Sequence, residues 1–387
     1  MKIFHLSDLH IGLKLINRDM REDQQYIFER IAEYAAGERP DAIIIAGDIY
    51  DRAVPSAEAV ELFDIFVTKL SDAAPDAVIM MISGNHDSAP RINCYRSVLS
   101  RQNIHMAGIP PVKSDEYIEK VTVKDEYGSV NFYLLPFVKP SMAAGIVKRE
   151  DEESLSYDET LRRLIARENI DENERNVIVS HQFYLPVGKQ ADDIERMDSE
   201  IRSVGNIDAV RADVLDVFDY AALGHIHKPM KVGCDVKRYP GTPLACSVSE
   251  EGQQKGIIMV NMGAKKGKGK QAEIETEVLP LAPLRSIRKI RGLLDDVLKQ
   301  ACDDYVTVIL TDKSDLDVID MKDKLRQAFP YLLEIRRENV SRVDYSKQMN
   351  IEKEIDAYEM CLEFIPNMDE QDIKIIKQVV NKVKGIV

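Results

Sequence analysis

The stretch Ala42-Ile43-Ile44-Ile45-Ala46-Gly47-Asp48 decides the fold. Five apolar residues in an unbroken run are what a parallel strand covered on both faces requires. The run stops at a glycine, and a carboxylate follows at once. Two neighbouring segments repeat this plan. Lys2–Ser7 leads into Asp8-Leu9-His10, and Ala77–Ile82 leads into Gly84-Asn85-His86-Asp87. Between them, Asp19–Ala36 reads as a helix with Met20, Ile27, Ile31 and Ala35 on one face. Ser56 caps a second helix, whose expected buried stripe is Val60, Phe63, Val67 and Leu70. A short helix runs from Asn93 to Arg101. This β-α-β-α-β rhythm implies a parallel sheet with right-handed crossovers.

Outward from that core the pattern changes. Lys113–Pro136 alternates in short runs, with a hairpin turn expected at Tyr127-Gly128. A helix at Ser156–Glu168 precedes the apolar strand Asn176–Ser180, which ends in Ser180-His181. Lys189–Ser203 is polar and reads as a long surface loop. Strands at Tyr220–Leu223, Lys255–Met262 and Glu273–Leu279 suggest a second sheet packed on the first. The expected class is therefore α/β, with two packed mixed β-sheets flanked by helices over residues 1–280. Pro280 and Pro283 bracket a boundary. Ser286–Arg291, Leu293–Cys302, Tyr305–Leu310, Asp317–Phe329 and Leu332–Arg337 then read as strand, helix, strand, helix, strand, a small α/β domain at 283–338. In the tail, 345–387, Ile351, Ile355, Tyr358 and Leu362 form one amphipathic stripe, and Ile373, Ile376, Val380 and Val383 form another. Such stripes pack on their own protein or receive partner helices.

Composition narrows the class. The 387 residues are 44% apolar and 30% charged, ordinary for a globular chain with a large core. A net charge of -14 argues against a free-standing nucleic-acid binder, unless positive charge is gathered locally or lent by a partner. Five scattered cysteines (Cys94, Cys234, Cys246, Cys302, Cys361) contain no C-x-x-C pair, so neither a zinc framework nor disulfides are expected. No apolar run reaches membrane-spanning length, and a cytoplasmic location is the expectation.

The chemistry lies in five polar clusters that follow apolar strands: Asp8/His10, Gly47-Asp48, Gly84-Asn85-His86-Asp87, His181, and Gly224-His225-Ile226-His227. Three of them end the strands read as parallel, where open α/β sheets bind their ligands. On an extended segment, Asp8 and His10 would project to one side, as would His225 and His227. Carboxylate, amide oxygen and imidazole without thiolate suit Mn²⁺, Fe²⁺ or Zn²⁺ in a catalytic setting. Two dications, two aspartates and one hydroxide leave about +1, which matches a singly charged phosphodiester. A lone G-D or D-x-H occurs by chance constantly; five such clusters in order, each ending a strand, do not. His5 and His105 fall outside them and read as structural.

Together these motifs resemble the signature of the calcineurin-like metallophosphoesterases. Asp8-Leu9-His10-Ile11-Gly12, Gly47-Asp48-Ile49-Tyr50-Asp51, Ala222-Leu223-Gly224-His225-Ile226-His227-Lys228-Pro229 and Tyr239-Pro240-Gly241-Thr242-Pro243 narrow the likeness to the SbcCD-type nuclease subunits, a branch of the double-strand-break-repair nucleases. The resemblance covers nearly the whole chain and implies a sandwich fold with a small capping domain and a helical C-terminal tail. It implies two divalent ions, Mn²⁺ foremost: one held by Asp8, His10 and His227, the other by Asn85, His181 and His225, with Asp48 bridging. A shared carboxylate suits two cations ~3.5–4 Å apart. His86 is then left to face the phosphate as hydrogen-bond donor or general acid, and Asp87 to orient a histidine. The implied activity is double-strand exonuclease and single-strand endonuclease cleavage of DNA in repair and recombination. The implied partners are an SMC-like coiled-coil ATPase, docked through the C-terminal helices, and a second nuclease subunit forming a homodimer. Arg52 and Arg91 are candidate contacts to DNA. Two positions depart from the pattern: Asp51 stands where relatives often carry a second histidine, and Leu9 where many carry Trp. The rival readings are a stand-alone phosphodiesterase acting on a small substrate such as a cyclic nucleotide, and a scaffold that keeps the fold without the chemistry.

Overall fold

The computed structural model describes residues 1–194, 196–200, 208–267, 270–312, 318–338 and 373–376. Two six-stranded sheets lie face to face. The first runs in the order Ala272–Leu281, Lys255–Lys265, Lys2–Leu6, Ala42–Ala46, Val78–Ile82, Ile104–Ala107. Its last four strands are mutually parallel, and the first two are antiparallel additions. The second runs Met230–Lys231, Lys237–Tyr239, Tyr220–Gly224, Arg175–His181, Gly128–Leu135, Glu119–Asp125, with a parallel centre and antiparallel edges.

Period-2 alternation divides the strand residues between three apolar layers. Ile3, Ile44, Met80 and Ile82 pack against Phe132, Val177, Val179 and Ala222 between the sheets. Phe4, Ile43, Ile45 and Ile79 face outward onto the helices Arg21–Glu38 and Ala57–Ala73, where Phe28 stacks on Phe66 at 4.3 Å. Tyr133, Ile178 and Leu223 do the same for Pro140–Val147 and Tyr157–Ala166. Burial on both faces explains the unbroken apolar strands, and each such side chain contributes roughly 1.5–3 kcal/mol.

Three expectations are corrected. Lys255–Lys265 and Ala272–Leu281 join the first sheet beside Lys2–Leu6, not the second. The second helix buries Ala59, Leu62, Phe66 and Leu70; Val60 is exposed, while Phe63 and Val67 only flank the core. Both stripes satisfy a helical period and share Leu70, so packing against Phe28 decides between them. The 93–101 helix is instead two short turns, Ala89–Ile92 and Arg96–Leu99, broken where Tyr95 takes a left-handed φ of 59°. Ser56 caps its helix as expected, accepting from Ala59 N at 3.3 Å.

Met1–Arg336 form one compact unit. It includes the strands Ile287–Gly292, Tyr305–Leu310 and, up to Arg336, Leu332–Arg337, which make a third sheet with the helices Leu294–Leu298 and Val318–Ala328. Val297, Val306, Val308, Leu325 and Phe329 form a core of their own there. Arg285 fastens this part to the first helix through Asp23 (2.9 Å) and Glu22 (2.8 Å), and the Tyr305 hydroxyl donates to Asp23 at 2.7 Å. Arg337–Val387 form a second unit, of which 373–376 are helical. The remaining residues of both amphipathic stripes, and part of the 189–203 loop, lie outside the described residues. Cys94, Cys234, Cys246 and Cys302 are free, and no helix among the described residues is long and apolar enough to cross a membrane.

Candidate metal centre

All five clusters meet where the carboxyl ends of the two sheets abut. The loops of the first sheet are laced together: Asp8 N donates to Gly47 O (2.9 Å), His10 N to Asp48 O (3.0 Å) and Ile11 N to Ile49 O (2.9 Å). Gln24, from the first helix, clasps the same turn through His10 O (2.8 Å) and Gly12 N (3.0 Å). Asp8, His10, Asp48 and His225 all take positive φ (54°, 44°, 49° and 109°). The extended geometry expected for the i, i+2 pairs is therefore replaced by tight turns. Strained backbone of this kind persists where the surroundings fix it, and it clusters at functional sites. Gly47 takes φ 88°, and a Cβ there would collide with the His181 ring.

Asp8, His10 and His227 place ligand atoms within 4.8 Å of one another, as do Asp8, Asp48 and His181. His10 Nε2 faces His227 Nε2 at 3.1 Å. Asn85 Oδ1 lies 3.0 Å from His181 Nε2 and 2.8 Å from His225 Nδ1. Asp48 Oδ2 stands between the two groups, 3.8 Å from His10 Nε2 and 3.3 Å from His181 Nε2. The pair His225 and His227 is thus split, one residue to each group. His86 is half-buried, with Nε2 4.0 Å from Asp48 Oδ2 and Nδ1 donating to Asp51 O at 3.0 Å. Asp51 itself stands 3.9 Å from His10 Nδ1.

The electrostatics fit a cation pair. Burial raises the Asp8 carboxyl to about 6, against the pull of His181 and His227. Burial would also depress the His181 imidazole, but the charge and hydrogen bond of Asp48 outweigh it and lift His181 to about 9. Burial and the neighbouring imidazoles push His10 and His225 well below the usual histidine range. Such a nest of buried acceptors is costly unless positive charge sits among them. A proton on His181 supplies part of that charge, and divalent ions fit the same oxygen and nitrogen donors better.

The calcineurin-like phosphoesterase family matches residues 1–229, a span that holds every cluster. The chain belongs to this family. This phosphoesterase is also 28% identical over 399 residues to the D component of the SbcCD nuclease of Staphylococcus epidermidis, across 100% of the chain and 98% of that relative.

Other sequence candidates fall elsewhere. Asp87 does not orient a histidine: its carboxylate accepts from the backbone amides of Ile49 (3.0 Å), Tyr50 (2.9 Å) and Gly84 (2.9 Å), bracing two loops of this phosphoesterase against each other. His5 is buried between the sheets, bonded to the Tyr220 hydroxyl (3.0 Å) and Leu223 O (3.1 Å), and burial drops its pKa to about 3. His105 lies in the Ile104–Ala107 strand, half-buried. Arg52 and Arg91 are exposed. Arg52 lines a cleft of about 370 Å³ with Lys14, Arg21 and Asp51. Sequence reasoning missed Arg196, Ser199, Glu200, Glu250 and Lys255, which wrap His225 and His227. None of the five left a signal in the sequence, because polar side chains outside any motif read as solvated.

Proposed function

We propose that this phosphoesterase is the nuclease subunit of an SbcCD-type complex, hydrolysing DNA phosphodiester bonds with a pair of Mn²⁺ ions. The observation that carries the reading is the convergence of Asp8, His10, Asp48, Asn85, His181, His225 and His227 on one pocket. Similarity over the full length to a nuclease subunit supports DNA as substrate over a small molecule. Asp8, His10 and His227 would hold one ion, Asn85, His181 and His225 the other, and Asp48 both.

Bound there, the ions supply Lewis acidity to the scissile phosphate and activate the attacking water. The protein's own groups do the rest. The His181 Nδ1 proton goes to Ala46 O at 2.8 Å, which turns Nε2 toward the pocket. His86 gives its Nδ1 proton to Asp51 O, so it can donate to a phosphate or a leaving oxygen only from Nε2, with both nitrogens protonated. Arg52 and the cleft beside it suit a flanking phosphate. Residues 283–338 act as a cap, and 345–387 dock an SMC-like coiled-coil ATPase, whose surface adds the positive charge this acidic chain lacks. Two such subunits pair in a cytoplasmic complex.

The test is a cleavage assay on duplex and hairpin DNA with Mn²⁺, with and without the ATPase and ATP. DNA should be cut, and chelation should stop it. Brisk hydrolysis of cyclic nucleotides with DNA untouched refutes the proposal.

A further inference from the structure

His227 is gripped by residues outside every motif. Its ring Nδ1 lies 2.7 Å from Ser199 Oγ, which in turn donates to Glu250 Oε1 at 3.1 Å. A serine hydroxyl has one proton. Given to the carboxylate, that proton leaves the Ser199 oxygen able only to accept, so His227 must carry its own proton on Nδ1. Nε2, the nitrogen facing His10, then keeps its lone pair. The backbone is held as well: His227 N donates to Glu200 Oε1 (3.0 Å), and Lys255 Nζ donates to His227 O (3.0 Å).

Glu250 is 2% exposed and fully engaged. Oε1 also accepts from Cys246 N and Ser247 Oγ, each at 3.1 Å, and Oε2 from Lys255 Nζ (2.7 Å) and Thr242 Oγ1 (3.1 Å). His227, Cys246 and Glu250 come within 4.8 Å of one another, close enough for a separate cation seat. It fails because both Glu250 oxygens are committed and the facing His227 nitrogen bears a proton.

We infer that Ser199 and Glu250 are positioning residues: the Nδ1–Ser199–Glu250 chain fixes the tautomer and aim of His227 and so sets the affinity of one cation seat. The inference rests on His227 being a ligand, as proposed above. A ligating imidazole whose other nitrogen loses its partner weakens metal binding by ~10–100-fold. The full chain is titrated with Mn²⁺ alone, reading stoichiometry and affinity by calorimetry and by the spectrum of free Mn²⁺, with a thermal unfolding curve for each variant. Wild type should take up two ions. Ser199→Ala should weaken one of them ~10–100-fold and leave the other and the metal-free unfolding midpoint unchanged. Ser199→Thr, which keeps the hydroxyl, should restore binding. His227→Ala should lose that same ion. Glu250→Gln should resemble Ser199→Ala; because it also disturbs Lys255 and Thr242, the serine pair decides if it fails to fold. Unchanged affinity at both seats in Ser199→Ala, or no rescue by Thr, overturns the inference alone. A wild-type chain that binds no ion overturns the metal reading, and this inference with it.

Discussion

Replacing His86 with alanine separates the chemistry from the metal seat. The side chain is 16% exposed, makes one ring-to-backbone bond to Asp51 O at 3.0 Å, and meets His10 edge-on at 4.8 Å. Losing one such bond and a half-buried ring costs about 1–2 kcal/mol of stability. A group that donates a proton in the transition state contributes about 10²–10⁴ in rate, equivalent to ~3–5 kcal/mol of barrier. Cleavage should therefore fall far more than stability does, while both ions stay bound. The assay is single-turnover cleavage of labelled duplex DNA in saturating Mn²⁺, with metal content measured on the same preparation. The rival is specific. His86 shares a 4.8 Å group with His10 and Asp48, so it has the reach of a ligand. Loss of an ion in step with activity, or a rate within tenfold of wild type, refutes the assignment. Asp48→Asn supplies the contrast, since it should weaken both ions.

Three further outcomes are expected. Deleting Ile351–Val387 should leave Mn²⁺-dependent cleavage intact but abolish co-purification with the ATPase, and retained co-purification would sink the docking role. Gly47→Ala should weaken the ion held by His181, because its Cβ meets that ring and φ 88° costs an L-residue roughly 1–2 kcal/mol; an unaltered Mn²⁺ titration would contradict this. Asp125→Asn should destabilise the fold by roughly 1–3 kcal/mol, because it removes the negative charge that the buried Arg175 guanidinium donates to at 2.9 Å. Burial alone would raise the Asp125 carboxyl, but Arg175 outweighs it and holds the group well below the usual range. The wild-type advantage is thus full above about pH 4 and fades as pH falls toward the depressed value; urea unfolding at pH 7 and pH 3 should show the gap narrow without closing.

The strands that carry the site were legible because burial on both faces leaves an apolar run that ends abruptly at a polar cluster, as at Ala46-Gly47-Asp48. Pairing was less so. Nothing within Lys255–Lys265 says that it lies against Lys2–Leu6, at the far end of the chain, because strand partners are chosen by long-range packing. The choice between the Ala59 and Val60 stripes turned on the same kind of contact. Seven of the residues around the pocket stood out in the sequence because imidazoles, carboxylates and an asparagine clustered at strand ends are rare. Ser199 and Glu250 were not, since a serine in a polar loop and a glutamate in Ser249-Glu250-Glu251 look like solvated surface until the fold buries them.

The pocket straddles the seam of the sandwich, and this has a mechanical consequence. On the proposed assignment each ion is held by donors from both layers: Asp8 and His10 with His227, Asn85 with His181 and His225. Each cation is then a rivet through the seam, and prying the layers apart means releasing it. By mass action, free Mn²⁺ at a hundred times its dissociation constant tightens the closed form by about 2.7 kcal/mol per seat. Nuclease competence and resistance to unfolding should therefore rise along one and the same metal titration curve.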